Sequence, residues 1–176
     1  ARRARQRGLV IPTLAQMRSP ATIPQAIRAR LRSLAMSDVD PANLFRINWH
    51  NQPVERGGDF GQVNHIEFPP SLTGVEARII ALVGKWFPTG CHKVGASFGC
   101  LAPRLVSGQF DPARQRAVWP STGNFCRGGA YDSALLGCTS VAVLPEGMSR
   151  ERFDWLARLG GEIIRTPGSE SNIKAI

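Results

Sequence analysis

Two short stretches of this sequence carry residue types that could do chemistry. One is Lys93, behind Thr89-Gly90-Cys91-His92; the other is Ser121-Thr122-Gly123-Asn124. A lysine in the first turn of a helix sits in the positive end of the helix dipole, which disfavours its charge. The same field favours the neutral amine, the nucleophile that forms a Schiff base with a carbonyl. Gly95, Ala96, Ser97 and Gly99 follow, small enough for a flat ring to approach the backbone. The plain alternative is a solvated lysine near a helix start. The second stretch places hydroxyls and a glycine where a strand turns into a helix. Backbone N–H groups then converge on one point, backed by a helix dipole, which suits a carboxylate or a phosphate. Asn124 adds an amide that can donate and accept. Here the alternative is an ordinary helix cap.

Regular elements must hold these stretches in place, and from residue 77 onward the pattern supplies them. The apolar run 77–83 predicts a strand buried on both faces. A loop over 84–91 leads to a helix over 93–106. Then come a strand at 116–119, a helix over 125–136 and a strand at 139–144. A helix opened by Ser149 stops at Gly160-Gly161, followed by a strand at 162–166 and the start of a helix at Ser169. Alternation of this kind predicts βαβ units and a parallel sheet. In such sheets ligands bind beyond the carboxyl ends of the strands, where both chemical stretches fall.

The upstream part is less regular. Thr22-Ile23-Pro24 predicts a helix to about residue 35, with Ile27, Leu31 and Leu34 on one face. Residues 37–43 read as a turn, 44–49 as a strand, and 50–75 as irregular chain broken by glycines and prolines. The expected organisation is a basic arm and helix over 1–44, an irregular connection over 45–76, and a catalytic α/β portion over 77–176. The tryptophans read as core or interface, His50 and His65 as surface residues, and Asp132 and Asp154 as solvated helix faces.

The formal charge of +9 invites nucleic acid, but its location argues against it. Eight arginines and no acidic residue fall within residues 1–32, leaving fourteen basic against thirteen acidic side chains in the rest. The arm reads as a segment packed on its own subunit or a neighbour, with a polyanion-binding or transit-like role as the alternative. The longest apolar stretch, 79–83, is far too short to span a bilayer. Cys91, Cys100, Cys126 and Cys138 form no Cys-x-x-Cys pair, which disfavours zinc and points to reduced thiols, most of them buried, in a cytoplasmic compartment.

In order and spacing these stretches resemble the tryptophan synthase β / cysteine synthase family of pyridoxal-phosphate enzymes, known as fold type II. Pro88-Thr89-Gly90-Cys91-His92-Lys93 is similar to the lysine segment of tryptophan synthase β chains. Pro120-Ser121-Thr122-Gly123-Asn124 is similar to the corresponding loop of cysteine synthases, threonine dehydratases and threonine synthases. Gly128-Gly129-Ala130, Leu136-Gly137-Cys138, Val143-Leu144-Pro145-Glu146-Gly147 and Leu159-Gly160-Gly161-Glu162 follow in the family's order, so the likeness covers about 77–166.

The resemblance implies an α/β fold of parallel-sheet βαβ units, a three-layer α/β/α arrangement present only in part. It implies pyridoxal 5'-phosphate held by Lys93 as an internal aldimine, with the freed amine as the base for the α-proton. Asn124 would bond the cofactor's ring oxygen and His92 would lie near its phosphate. Ser121, Thr122, Gly123 and Asn124 would bind the substrate carboxylate. The implied reaction is β-elimination or β-replacement on an amino acid as small-molecule substrate, by a homo-oligomer, expected as a dimer, without metal, nucleic acid or membrane.

The family's Gly-rich phosphate loop, and the Ser or Thr that meets the pyridine nitrogen, lie well downstream of the lysine. Residues 168–172 do not match that loop. The competing expectation is therefore a truncated, inactive fragment, or a non-catalytic module that keeps the front half of the fold. Phe125 and Cys126 depart from the family's small or polar residues, and Arg127 adds a charge beside the carboxylate loop, so the substrate stays open. A dinucleotide-binding domain has no support, since no Gly-x-Gly-x-x-Gly follows a strand.

Overall fold

The computed structural model describes residues 8–52 and 59–169. The arginines at 2, 3, 5 and 7, and the helix expected past Ser169, lie outside the described residues. In chain order the elements are α1 (Leu14–Arg18), α2 (Gln25–Leu31), β1 (His65–Phe68), α3 (Pro70–Thr73), β2 (Ile79–Leu82) and α4 (Lys93–Ser107). They continue with β3 (Ala117–Pro120), α5 (Asn124–Leu135), β4 (Ser140–Pro145), α6 (Arg150–Arg158) and β5 (Glu162–Thr166).

The upstream region departs from the sequence pattern for one main reason, the fully buried guanidinium of Arg46. It donates to the carbonyls of Leu31 (2.5 Å) and Leu34 (2.8 Å) and to the Asn43 amide oxygen (3.1 Å). The Leu31 carbonyl also takes the Leu34 N–H in a tighter turn and the Asp38 carboxylate takes the Ala35 N–H, so α2 stops at Leu31 instead of reaching 35. Residues 44–49 do not form the expected strand. Asp40 accepts from the Ala42 N–H, Pro41 presets the first φ, and Pro41–Arg46 winds into a 3-10 helix. Residues 43–48 are all buried, which removes the in-out alternation a half-exposed strand needs. The Tyr131 hydroxyl, 2.7 Å from the Asp38 carbonyl and 2.9 Å from that of Met36, ties this region to α5.

The run at 77–83 is also placed differently. Only Ile79–Leu82 is strand, and it pairs antiparallel with β1 in a two-stranded ribbon. Ile79, Ile80 and Leu82 are 41%, 48% and 53% exposed, so the run is not buried on both faces. A short apolar run does not specify what covers it.

From Ala117 onward expectation and structure agree. β3, β4 and β5 form a parallel sheet in that order, linked through α5 and α6 as two successive βαβ units. β4 is the central strand and is buried along nearly its whole length. Val94, Ser97, Phe98, Leu101 and Ala102 form the inward stripe of α4, the spacing of one helix face. α4 lies against α5 at Gly128, where an added Cβ would come 2.8 Å from the Val94 Cα. On another side of α5, Gly129 sits directly on the Trp119 ring, leaving no space for a Cβ. Trp119 Nε1 donates to Ser133 Oγ (3.0 Å), so the indole has its partner inside the core.

Candidate active site

Lys93 is the first residue of α4 and is exposed. Its ammonium has no hydrogen-bond or ion-pair partner among the described residues. Its carbonyl accepts from Ser97 Oγ at 3.2 Å, one turn later. His92 precedes it, also exposed, with its ring stacked on Trp49 at 5.8 Å. Gly84 lies beneath that ring, where a Cβ would come 3.0 Å from Nδ1.

The turn before them, Pro88–Gly90, holds Thr89 at φ +70° and Gly90 at φ +71°. Glycine adopts this region freely, whereas threonine is strained there by about 1–3 kcal/mol. Thr89 is the one non-glycine residue with positive φ among the described residues. Its Oγ1 is buried without a hydrogen-bond partner.

The second stretch leaves the carboxyl end of β3. The Ser121 N–H donates to the Val143 carbonyl (3.0 Å), extending the sheet by one bond. The Gly123 N–H turns back onto Ser121 Oγ (3.1 Å), so one of the expected donors is taken within the turn. Arg152 of α6 donates to the Thr122 carbonyl (3.1 Å) and lies against Gly123. Asn124 then opens α5, whose first N–H groups have no carbonyl of their own helix.

Between the two stretches lies a recess of about 610 Å³, lined by Met36, Ser37, Phe87, Thr89, Gly90, Cys91, Asn124, Arg127 and Trp155. That volume falls within the range of small-molecule sites, roughly 300–1,000 Å³. Of the residues singled out from sequence, Asn124 lines it; Lys93, His92, Ser121, Thr122 and Gly123 do not. Arg127 was noted for its charge alone. Its position three residues after Asn124 puts both on one helix face, a signal present in the sequence. Thr89 was read only as part of the Thr-Gly turn before Lys93, and Trp155 only as core or interface.

Arg127 is half-buried, its guanidinium 4.4 Å from the Trp155 ring centroid and its Nε buried without a partner. Burial lowers its pKa from the usual arginine value. On the far side of the α4–α5 contact, Ser97 Oγ lies 2.6 Å from an oxygen of Asp132, which is fully buried rather than solvated. Burial raises the Asp132 pKa well above the ordinary carboxylate range. The thiols divide: Cys126 and Cys138 are buried, Cys91 half-buried and Cys100 exposed, all free. Burial pushes the Cys126 pKa up to about 12, which makes it an inert thiol.

For an aldehyde cofactor that carries a phosphate, the donor set fits at the anchor and beside the ring. A lysine amine without a competing acceptor stands at one helix start, and an amide stands at the next. Thr89 Oγ1 is the orphaned polar atom between them. Among the described residues no group of three or more His, Cys, Asp or Glu could hold a metal ion, and no helix is long and apolar enough to cross a membrane.

Comparison with known proteins identifies the fold. No protein-family model matches the chain. It is 34% identical over 98 residues to cystathionine β-synthase of Saccharomyces cerevisiae, covering 56% of this chain and 19% of that protein. It is 42% identical over 89 residues to cysteine synthase of Staphylococcus aureus, covering 51% of this chain and 28% of that protein. Among solved structures, the O-acetylserine-dependent cystathionine β-synthase of Helicobacter pylori superposes with a TM-score of 0.56 at 20% identity. That alignment covers 65% of this chain and 38% of that one. The cysteine synthase of Entamoeba histolytica gives 0.54 at 20% identity, covering 65% and 35%. The fold is thus that of the fold type II pyridoxal-phosphate enzymes, and about half of the chain is homologous to cystathionine β-synthases and cysteine synthases. The matches span only 19% and 28% of the length of these two curated relatives.

Proposed function

We propose that this chain, homologous over about half its length to cystathionine β-synthases and cysteine synthases, carries the cofactor anchor and carboxylate turn of a β-eliminating or β-replacing enzyme. The observation that carries the reading is the paired helix starts. An acceptor-free lysine amine opens α4, a Ser-Thr-Gly-Asn turn opens α5, and Gly128 lets the two helices meet directly.

Lys93 Nζ is the group that would bind pyridoxal 5'-phosphate covalently, and the same nitrogen would take up the substrate's α-proton once released. When bound, the cofactor supplies the electron sink for breaking bonds at the α-carbon. Asn124 would orient the cofactor through its amide. Ser121, Thr122, Gly123 and Asn124 would hold the substrate carboxylate, using the free N–H groups of the first α5 turn. Arg152, on the Thr122 carbonyl, keeps that turn in position. His92, fixed against Trp49, would lie toward the cofactor phosphate.

A small-molecule amino-acid substrate, a homodimer, a cytoplasmic location, and the division at residues 44 and 76 belong to the same proposal. Four free thiols support the reducing compartment. A second reading, a non-catalytic module that keeps this part of the fold, is favoured by one observation: Lys93 does not line the recess that Asn124 lines.

Absorption with added pyridoxal phosphate separates the two. We expect a long-wavelength band that survives desalting, is discharged by borohydride and is missing in Lys93→Ala. A folded chain without a Lys93-dependent band would favour the module.

A further inference from the structure

Four arginines among the described residues are not fully exposed: Arg28, Arg46, Arg127 and Arg152. Three have oxygen acceptors. Arg28 meets the Asp59 carboxylate, Arg46 two backbone carbonyls and an amide oxygen, and Arg152 the Thr122 carbonyl. Arg127 has none among the described residues. It stacks on the Trp155 ring and meets Glu151 through space without a hydrogen bond, its Nε is buried without a partner, and it lines the recess beside Asn124.

A half-buried guanidinium is strongly driven to find an anion, and its planar fork suits the two oxygens of a carboxylate or phosphate. The ring behind it fixes the plane without using a single N–H donor. Across the same recess stands Thr89, kept in a left-handed conformation with Oγ1 buried and unpaired. Strain of this kind in a residue lining a recess is a mark of a binding site. Asn124 and Arg127 are one turn apart on α5, so a ligand held by its α-carboxylate at the Ser121–Asn124 turn would extend toward Arg127.

We infer that Arg127 receives a second oxyanion of the substrate, so that the chain selects an amino acid bearing a side-chain carboxylate or phosphate. This rests on the reading of the Ser121–Asn124 turn as the α-carboxylate site. Phe125 and Cys126 fill the family's small positions without adding a hydrogen-bonding oxygen or amide, which leaves Arg127 as the charged group lining the recess beside Asn124.

The test is binding of matched pairs to the chain, followed by calorimetry and by tryptophan fluorescence, since Trp155 lies against the guanidinium. L-Glutamate is compared with L-norvaline, and O-phospho-L-serine with L-serine. In the unmodified chain each acidic ligand should bind at least about tenfold tighter than its neutral partner, the size of one charge-assisted pair. Arg127→Gln should erase that ratio and leave the neutral ligands unchanged, and Arg127→Lys should keep part of it. Whichever acidic ligand has the larger ratio identifies the carboxylate or phosphate source. The ratio is read from binding without added pyridoxal phosphate, so the inference stands or falls separately from the cofactor band. A band with no acidic preference overturns this inference and leaves the proposed function standing. An equal preference in the unmodified chain and a folded Arg127→Gln, judged by circular dichroism, also overturns it.

Discussion

The β1–β2 ribbon and the β3–β4–β5 sheet are built from the same kinds of residue and meet opposite fates. Ile79, Ile80 and Leu82 of β2 are about half exposed, whereas Val141, Ala142 and Leu144 of β4 are 5%, 2% and 1% exposed. What differs is what lies above them. β4 has a strand on either side and α5 packed on it, whereas β2 has one antiparallel partner, and Arg78 reaches across to Glu67 in the open. Apolar sequence supplies the drive to be buried, and the neighbouring elements decide whether it is met. In this chain the notched helix α5, with Gly128 against α4 and Gly129 against Trp119, does the covering.

A large effect is expected from blocking that notch. Gly129→Ala would place a methyl group inside the Trp119 ring, so indole, helix or sheet must move. Overpacking of this sort costs about 1–3 kcal/mol and sometimes more. Because the Trp119 Nε1 bond to Ser133 Oγ would be strained as well, we expect the upper end, read as a fall in Tm with a change in near-ultraviolet circular dichroism. If Gly129→Ala melts like the parent, α5 does not cover the sheet as closely as described.

A paired truncation sharpens the contrast. Leu144→Ala, at 1% exposure, should cost about 2–5 kcal/mol. Leu82→Ala, at 53% exposure on the ribbon, should cost under about 1 kcal/mol. Denaturant melts of the two variants measure the difference directly. Equal losses would mean that the ribbon is covered in solution, and the two regions would no longer be contrasting cases.

The same contrast shows what the sequence could reveal. The parallel sheet was legible because each strand, turn and helix from 117 to 166 repeats one local pattern, and the observed boundaries fall within one or two residues of it. The upstream elements were not, because their ends depend on one distant side chain. That Arg46 would take the Leu31 and Leu34 carbonyls is invisible to helical spacing. In the candidate site, the lysine and the Ser-Thr-Gly-Asn turn stood out by residue type. The recess did not, because it is formed by Thr89, Arg127 and Trp155, which lie far apart in sequence. Asp132 was misplaced for a similar reason. On an isolated helix a carboxylate reads as solvent-facing, yet α4 buries it against Ser97.

That burial gives the last effect, and it has a definite sign. The folded-state pKa of Asp132 is raised by burial, and the Ser97 hydrogen bond only partly opposes this. The folded chain therefore holds this proton at pH values where the unfolded chain has released it. Its contribution to stability is complete below the unfolded pKa, about 3.9, and declines as pH rises from there toward the folded pKa. Asp40 and Asp59 act in the opposite direction, since Arg30 and Arg28 lower their pKa values and their contributions are lost in acid. The clean measurement is thus a difference between two proteins. Asp132→Asn keeps the volume and a partner for Ser97, so it should melt higher than the parent at pH 7, with the gap closing as pH falls toward 4. A gap that stays constant across that range would mean Asp132 titrates normally, and that water reaches the α4–α5 contact as freely as it reaches the ribbon.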